Sequence, residues 1–400
     1  MKILSIETSC DETAVSIVLA NGGVESPSFE ILGNALFSQI DIHKEFGGVY
    51  PMVAKREHAK KLTPLLEKVL LDSKMLKIEE TDYPDKLWND IEFILKKEEG
   101  LYLNFKNKFE KIKKPEIDFI AVTSGPGLAP ALWVGISFAL ALGKLWEIPV
   151  IPTNHMEGHI ASVLIENNDE RKIIFPALAL LISGGHTELV NINNWGEYKI
   201  VGSTRDDAVG EAFDKAARML GLPYPGGVEI SKLAEYARTK NLSKIAKLPR
   251  PMIHSGNLDF SFSGLKTAVL YYMRDNWKNE NNEIISTDDE KADLAREFED
   301  SVIEILLKKT EQAIVQYCIK TLIIGGGVIA NKKIRENFGL LEAKYEGLLV
   351  KIPAKSLSTD NSMMIAAAAY LNAYLNPAIL KGQQEIEAKG NLKLGILNLH

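Results

Sequence analysis

His155 and His159 are the residues whose types and spacing point most directly to chemistry in this chain of 400 residues. They stand four positions apart in the segment NHMEGHIAS. On a helix, residues at that interval project from one face, so both imidazoles can reach a single ion. The other interpretation is a pair of histidines that share a face and bind nothing. Spacing alone leaves both interpretations open.

A third metal ligand must come from elsewhere in the chain, and Asp360 is the candidate. It stands in PAKSLSTDNSMMI, just before an apolar helical stretch. An acid at that place often caps the helix that follows. A carboxylate has two oxygens, so capping the helix and binding an ion can coexist.

Glu157 lies between the histidines but does not suit the role of a metalloprotease base. In the H-E-x-x-H motif the Glu follows the first His directly and acts on the zinc-bound water. Here Glu157 is offset by two positions and is expected to point away from the histidine face. The sequence therefore argues against a protease.

Turns after apolar strands recur along the chain. Residues 3–20 and 177–192 share one pattern of apolar strand, small polar turn and apolar strand, and TLIIGGGVIAN at 321–331 adds a glycine-rich turn. Such turns expose backbone N–H groups that can cradle phosphate, although most glycines only serve a tight turn. The wide internal repeat predicts a duplicated α/β domain that resembles the actin-like (ASKHA) group, in which two lobes close on a nucleotide.

The composition, 46% hydrophobic and 25% charged, is that of a globular protein, and the length predicts two domains. The net charge of −6 excludes a global positive field, so RNA contact would need local basic patches. Two helix faces are candidates for such patches, and an ordinary solvated helix is the alternative for each: Lys55, Arg56, Lys60 and Lys61, and Lys332, Lys333 and Arg335.

The N-terminus starts directly as an alternating strand, without a charged leader or a run of eighteen apolar residues. A cytoplasmic protein without a membrane partner is expected. Cys10 and Cys318 lie far apart beside apolar runs, which favours two buried free thiols.

Residues 72–114 are charged and lack strand alternation. The segments 87–97 and 101–112 are predicted to be short amphipathic helices. A surface for a partner or RNA is one interpretation of the lysines at 106–114. A solvated helical insertion is the favoured one, because charge runs usually form solvated faces.

Nine motifs in order resemble those of the TsaD family, the tRNA N6-adenosine threonylcarbamoyltransferases once called glycoproteases. The likeness covers nearly the whole chain except about 72–114 and the tail after residue 375, and it is to the bacterial and organellar branch. The motifs are ILSIETSCDETAVSIV, HKEFGGVYPMVAKREH, TSGPGLAPALWVGISFALAL, NHMEGHIAS, LLISGGHTELV, DDAVGEAFDKAARMLGLPYPGG, FSFSGLKTAV, GGGVIANKKIRE and STDNSMMIA.

This resemblance implies a duplicated actin-like, two-lobed α/β fold with the active site between the lobes. The lobes are predicted as residues 1–152 with a C-terminal helix 362–400, and residues 153–361 carrying the metal and nucleotide motifs. The implied reaction moves the threonylcarbamoyl group from threonylcarbamoyl-AMP to N6 of adenosine 37, in tRNAs that read codons starting with A. AMP is released.

The resemblance also implies the site residues. One divalent metal per subunit, Fe²⁺ with Zn²⁺ as the alternative, would be held by His155, His159 and Asp360. The family has an acidic ribose contact in some members, but Ser231 stands at that place here, so this contact is not carried over. The implied adenylate contacts are Leu181, Ile182, Ser183, Gly184, Gly185, Asp214, Gly227 and Asn331.

Asp11 and Glu12 stand in the first turn, where actin-like enzymes place an acid near the transferred group. They are candidates for orienting or deprotonating the attacking amine, with turn formation as the alternative. For Asp214 the alternative is a surface acid paired with Arg218 one helical turn away. His58 either lines the cleft or lies on the surface.

Two other functions compete with the transferase. An actin-like ATP-dependent kinase would need no histidine pair, and a non-catalytic scaffold like the shorter paralogue TsaB would lack the metal motif. The resemblance implies tRNA as substrate and, in a bacterium, a TsaB-like paralogue and a TsaE-like ATPase as partners. An organellar form would act as a homodimer instead.

Overall fold

The computed structural model describes residues 1–79, 83–165, 171–279, 283, 285–381 and 385–395. The chain divides into two compact units. Unit 1 comprises Met1–Ile42, Val49–Lys172 and Pro353–His400, and unit 2 comprises His43–Gly48 and Ile173–Ile352.

Unit 1 contains a five-stranded sheet in the order β3-β2-β1-β4-β5. The first three strands pair antiparallel, and β4 and β5 extend the sheet in parallel beyond β1. β1 and β2 are almost entirely buried, and β4 is buried along its whole length, as expected for a strand covered on both faces. The strands are β1 Lys2–Glu7, β2 Glu12–Asn21, β3 Ser28–Ser38, β4 Phe119–Gly125 and β5 Val150–Asn154.

Unit 2 contains a second five-stranded sheet, in the order β10-β9-β6-β7-β8. Here β6, β7 and β8 pair antiparallel, while β9 and β10 extend the sheet in parallel beyond β6. The strands are β6 Ala177–Ile182, β7 Thr187–Asn194, β8 Glu197–Ser203, β9 Thr321–Gly325 and β10 Leu349–Lys351.

The two sheets have the same topology, since each starts with an antiparallel meander of three strands and is extended beyond the first of them by two parallel strands. The internal repeat seen in the sequence corresponds to the hairpins β1–β2 and β6–β7, the first two strands of each unit. The predicted duplicated α/β fold is therefore confirmed, with one sheet in each of the two units.

Helices cover the sheet of unit 1. The longest, α2, packs on α5 and on strands β2 and β3, and α13 packs on β1, β2 and α6. A short helix, α1 Ile40–Lys44, crosses the boundary between the units in the sequence. The others are α2 Pro51–Asp72, α3 Asp85–Leu95, α4 Leu101–Phe109, α5 Ala129–Trp146, α6 His155–Ala161 and α13 Ser362–Leu375.

The charged segment 72–114 contains the two predicted helices, which are α3 and α4. Each buries one apolar stripe, with Ile91 and Leu95 on α3 and Phe105 and Phe109 on α4. α3 packs on α5, and α4 packs on α2. The opposite faces carry the charges, as the favoured interpretation of a solvated helical insertion requires. The part of the prediction at 80–82 lies outside the described residues.

In unit 2 the helix α10 is the longest, and it packs on α8. It begins with a capping box between Thr287 and Glu290, which satisfies the first free N–H groups of the helix. The helices are α7 Val209–Met219, α8 Gly226–Thr239, α9 Ser263–Asn276, α10 Asp288–Gln316, α11 Lys332–Gly339 and α12 Leu341–Lys344.

The boundaries between the units differ from the predicted ones. The chain passes from unit 1 to unit 2 after Lys172 and returns at Pro353, not at 152/153 and 361/362. The assignment of the metal motifs to the second lobe is therefore corrected, since 153–172 and 353–361 belong to unit 1. The physical reason is that α6 packs on α13 and on strands β4 and β5 of the first sheet.

Two smaller predictions also change. The C-terminal helix ends at Leu375 and does not reach 400, because Pro377 cannot continue an α-helix and starts a short 3-10 turn. Residues 382–384 and 396–400 of that prediction lie outside the described residues. Both cysteines are free, but Cys10 is half-buried and Cys318 is exposed, so burial of both thiols is wrong.

Among the described helices, α5 is long and apolar enough to cross a membrane by length and composition alone. It is 72% buried inside the protein, as a core helix is.

Candidate active site

The helix α6 places both histidines of the predicted metal pair. Asn154 caps it, accepting hydrogen bonds from the N–H groups of Met156 at 2.8 Å and Glu157 at 3.4 Å. The helix starts at His155, and the rings of His155 and His159 lie with centroids 4.7 Å apart and planes at 82°. The predicted common face is therefore present.

Asp360 joins the pair from the segment before α13. Its Oδ1 lies 3.4 Å from His155 Nε2 and 3.3 Å from His159 Nε2. One ligand atom from each of the three residues lies within 4.8 Å of the others. The helix cap is the next residue, Asn361, which accepts the N–H of Met364 at 2.9 Å. Asp360 is thus not the cap of α13, and its carboxylate faces the histidines.

The close approach of α6 to α13 depends on Gly158, which stands between the histidines. A Cβ at this position would lie 3.0 Å from Met364 Cγ and 3.1 Å from Ile365 Cδ1. The absence of a side chain lets α6, which carries both histidines, lie against α13, which follows Asp360 in the chain.

These three residues fit a divalent cation. His159 is fully buried, and neither ring nitrogen has a hydrogen-bond partner among the described residues. Its Nε2 is near Asp360 Oδ1 but without hydrogen-bond geometry. Buried polar nitrogens rarely stay unsatisfied. Two imidazoles and a carboxylate form a donor set typical of Zn²⁺ and Fe²⁺ sites.

The charges within the cluster are strongly coupled. Burial would lower the pKa of His155, but the carboxylates of Asp360 and Glu7 outweigh it and raise that pKa to about 10. Burial lowers the pKa of His159. Although burial alone would raise the pKa of Asp360, the two histidines hold it well below its usual range. The cluster thus attracts positive charge, as a proton or a cation.

Glu7, at the end of β1, is a residue of this cluster to which the sequence assigned no role. It is fully buried, and its Oε2 lies 3.1 Å from His155 Nδ1. Thr123 Oγ1 donates to Oε2 at 2.6 Å, and the N–H of Ser9 donates to Oε1 at 2.5 Å. The available signal in the sequence is a glutamate at the end of the strand KILSIE, whose central residues are mostly apolar.

Asp11 lies in the turn between β1 and β2, Glu12 is the first residue of β2, and both are nearly buried, at 7% and 9% exposed. Burial raises the pKa of Glu12 well above its usual range, and the charges of Asp11 and Asp360 add to the effect. The structure thus places this turn within electrostatic range of the metal cluster. A catalytic role for either acid stays a prediction.

His58, on α2, contacts the same turn through both nitrogens of its ring. It is fully buried, so the predicted surface alternative is wrong. Its Nε2 lies 3.0 Å from the carbonyl oxygen of Cys10, which can only accept, so Nε2 carries a proton. Its Nδ1 lies 2.8 Å from Thr13 Oγ1. Cys10 and Thr13, on either side of Asp11 and Glu12, are therefore both hydrogen-bonded to the His58 ring.

The first group of predicted adenylate contacts lies in unit 2, at the end of β6. Leu181 and Ile182 are buried strand residues, and the chain then turns tightly. Ser183 N–H donates to the carbonyl of His186 at 2.9 Å, and the N–H of His186 donates to Ser183 Oγ at 3.1 Å. A Cβ on Gly184 or Gly185 would meet nothing within 4 Å. This leaves space beside the backbone for a ligand.

Asp214, on α7, and Gly227, at the start of α8, are brought close together. The N–H of Gly226 donates to Asp214 Oδ1 at 2.7 Å. A Cβ on Gly226 would lie 2.7 Å from Asp214 Cα, so that glycine is required by packing. Gly227 is open, its nearest contact being Phe213 Cβ at 3.8 Å. The predicted partner Arg218 donates to the carbonyl of Gly47.

Asn331 caps α11 by accepting the N–H of Ile334 at 2.9 Å. Its Nδ2 donates to Glu299 Oε1 at 2.6 Å and lies 3.3 Å from Ser231 Oγ. The structure therefore brings Asn331, a predicted adenylate contact, beside Ser231, for which no nucleotide contact is predicted. Asn331 also has a structural role, because its side chain caps α11 and lies within hydrogen-bonding distance of Glu299 on α10 and Ser231 on α8.

The two predicted basic faces are largely ion-paired. Lys55 pairs with Glu98 at 3.2 Å, and Arg56 and Lys60 both pair with Glu57. On α11, Lys332 and Lys333 both pair with Glu336. Exposed pairs of this kind leave a mixed surface with a weaker positive field. Contact of either face with RNA stays a prediction.

A family model described as TsaD, tRNA N6-adenosine threonylcarbamoyltransferase, matches residues 30–83 and 106–367. The break between the two matched segments falls inside the predicted insertion 72–114.

Curated relatives extend the likeness to nearly the whole chain. The tRNA N6-adenosine threonylcarbamoyltransferase of Ralstonia pickettii (strain 12J) is 40% identical over 383 residues, covering 94% of this chain and 93% of that protein. That of Staphylococcus epidermidis (strain ATCC 12228 / FDA PCI 1200) is also 40% identical, over 98% of this chain and 97% of that protein.

Among solved structures, component A of the (R)-2-hydroxyglutaryl-CoA dehydratase of Acidaminococcus fermentans is distantly similar. The sequence identity is 14% and the TM-score 0.46, over 94% of this chain and 99% of that chain.

Proposed function

Because the chain belongs to the TsaD family of tRNA N6-adenosine threonylcarbamoyltransferases, we propose that it uses threonylcarbamoyl-AMP as donor and modifies adenosine 37 in tRNAs that read ANN codons. The observation that carries the proposal beyond the family name is the buried cluster of His155, His159 and Asp360. An actin-like kinase would not need such a cluster, and a TsaB-like scaffold would lack it.

The proposed reaction exchanges one bond for another. The exocyclic N6 of adenosine attacks the carbamoyl carbon, and a C–N bond forms as the C–O bond to the phosphate breaks. AMP leaves with the electron pair of that bond, and N6 loses one proton. The donor is a mixed anhydride and already activated, so orientation and charge stabilisation suffice and no covalent enzyme intermediate is needed.

His155, His159 and Asp360 would hold one divalent cation, Fe²⁺ or alternatively Zn²⁺. When bound, the ion would supply Lewis-acid polarisation of an oxygen of the activated donor.

The protein's own groups would divide the remaining tasks. Asp11 and Glu12 are the candidates to orient the amine and to accept its proton, since they lie in a buried turn beside the cluster. In unit 2 the open turn at Ser183, Gly184 and Gly185 would admit the adenylate, with Leu181, Ile182, Asp214, Gly227 and Asn331 around it.

The proposal extends to partners and location. A bacterial TsaD-like enzyme would act in the cytoplasm with a TsaB-like paralogue and a TsaE-like ATPase, and would bind tRNA and no membrane. The mixed charge of the two basic faces suggests that tRNA binding is shared with such partners rather than carried by this chain alone.

The test is reconstitution with threonylcarbamoyl-AMP and tRNA, with and without the partners, followed by nucleoside analysis. The double variant His155→Ala, His159→Ala should lose the modified nucleoside, whereas the exposed His254→Ala should retain it. Formation of the modified nucleoside by the double variant at the wild-type rate would overturn the metal-site mechanism.

A further inference from the structure

We propose that Glu7 is a positioning residue of the metal cluster, which keeps the proton of His155 on Nδ1 and thereby leaves Nε2 free to bind the ion. This inference rests on the proposed function, because it concerns the same site. It adds a residue that touches neither the ion nor the substrate.

The geometry of the His155 ring supports this assignment. Glu7 Oε2 lies 3.1 Å from Nδ1, while Asp360 Oδ1 lies 3.4 Å from Nε2, at the opposite edge of the ring. An ionised carboxylate only accepts hydrogen bonds. The ring nitrogen that faces Glu7 must therefore donate, and the neutral imidazole then offers its lone pair at Nε2.

Glu7 is itself held rigidly, so its influence on the ring does not depend on a mobile side chain. Thr123 Oγ1 donates to Oε2 at 2.6 Å, and the N–H of Ser9 donates to Oε1 at 2.5 Å. The residue is fully buried at the end of β1. Hydrogen-bonded carboxylates behind a metal-binding histidine fix both its tautomer and its orientation.

Ser9 provides a second polar group beside His155 Nδ1, which matters when the Glu7 carboxylate is removed. Its Oγ lies 3.3 Å from His155 Nδ1, and a hydroxyl can either donate or accept. With Glu7 removed, Ser9 could donate to Nδ1 and move the proton to Nε2. The ring would then present an N–H group to the ion, and binding would require a tautomer change.

The substitution Glu7→Gln exploits this difference while keeping the size of the side chain. Its carbonyl oxygen is best placed to accept the Ser9 N–H, because two donors would otherwise face each other. Its NH2 group then faces His155 Nδ1 and favours the proton on Nε2. The variant thus inverts the tautomer with little change in volume.

The matched control is Glu157→Gln. Glu157 is also a buried carboxylate and lies on α6 itself, but its Oε2 accepts from Asn372 Nδ2 at 2.8 Å. Glu157→Gln makes the same change from carboxylate to amide on α6, the helix that carries both histidines. None of the described hydrogen bonds joins the Glu157 side chain to either histidine.

The measurement is Zn²⁺ affinity of the full-length protein by competition with a chromophoric chelator, after removal of metal. Glu7→Gln should bind Zn²⁺ about 10- to 100-fold more weakly than the wild type, the usual effect of losing such an outer partner. Glu157→Gln should remain within about threefold of the wild type, because nothing it touches orients a ligand.

A second readout is the position of the proton, which a merely structural role would not set. In ¹⁵N-histidine NMR spectra of the Zn²⁺-loaded wild type, His155 should carry its proton on Nδ1. A proton on Nε2 would overturn the proposal.

Two further outcomes decide the matter. Equal Zn²⁺ affinity of Glu7→Gln and the wild type would refute the role of Glu7 while leaving the metal site intact. Failure of the wild type to bind Zn²⁺, Fe²⁺ or Co²⁺ would overturn the metal site and the role of Glu7 together. If Glu7→Gln does not fold, Thr123→Val replaces it, and a loss of affinity of about threefold or more supports the proposal.

Discussion

The two hairpins that open units 1 and 2 share a topology and differ in the character of their turns. The turn between β1 and β2 is nearly closed to solvent and holds the acids Asp11 and Glu12, with Glu7 just before it. The turn between β6 and β7 holds Gly184 and Gly185, which have open space beside them. The same hairpin topology thus supports a charged, buried turn in unit 1 and an accessible glycine turn in unit 2.

This difference indicates how a duplicated fold acquires two tasks. A buried charged turn is stable only when its carboxylates are paired or hydrogen-bonded, which Thr123, Ser9 and His155 provide for Glu7. A glycine turn needs no such support, because its backbone groups can meet a ligand directly. The first turn is suited to hold charge, and the second to admit phosphate or nucleotide.

The largest effect should come from removing the shared carboxylate of the first site. Asp360→Asn should lower transfer activity by more than about 100-fold, since losing a direct ligand costs more than losing an outer partner. Bound metal, measured by elemental analysis of the purified protein, should fall in parallel. The exposed Asp72→Asn is the control and should keep both properties. Full metal content in Asp360→Asn would remove Asp360 from the site.

A side chain in the second turn should act on the donor and not on the metal. Gly185→Val fills the open space and should raise the KM for threonylcarbamoyl-AMP about tenfold, equivalent to about 1.4 kcal/mol, with metal content unchanged. Gly339→Val, also open and in unit 2, is the matched control for folding and kinetics. A loss of metal in Gly185→Val would contradict the division of tasks between the turns.

The smallest effect on activity accompanies a pH dependence of stability that is confined to the first site. In the metal-free protein the pKa of His155 is raised to about 10, above its ordinary 6.5, so its stabilising contribution is complete below 6.5 and lost as pH rises through 10. The free energy of unfolding should therefore fall between these values. His155→Gln should lack this part of the decrease in denaturant titrations. An identical decrease in that variant would assign it to other groups.

Much of the site could be predicted because its residues lie on regular elements. The spacing of His155 and His159 suffices once α6 is helical, and the two hairpins follow from strand–turn–strand patterns. The sequence predicts Asp360 both as a ligand and as the cap of the following helix. The cap is its neighbour Asn361, since helix ends can be located from sequence only to within a residue or two.

What the sequence did not predict depends on packing between distant segments. Glu7 acquires its role only when Thr123 and His155, more than a hundred positions away, lie beside it. The boundaries of the units depend on α6 and α13 covering the first sheet, which no local pattern encodes. The burial of His58 likewise follows from the packing of α2 and not from its lysine-rich neighbours.

Gly158 has a consequence for the choice of ion. At this glycine α6, which carries both histidines, lies against α13, which follows Asp360, and a Cβ would come within 3.0 Å of Met364 Cγ and 3.1 Å of Ile365 Cδ1. Metal–ligand distances tolerate only about 0.2 Å of change. A single methyl group at position 158 would therefore press α6 away from α13 and lengthen the distances between the two histidines and Asp360. The site would then prefer ions of larger radius.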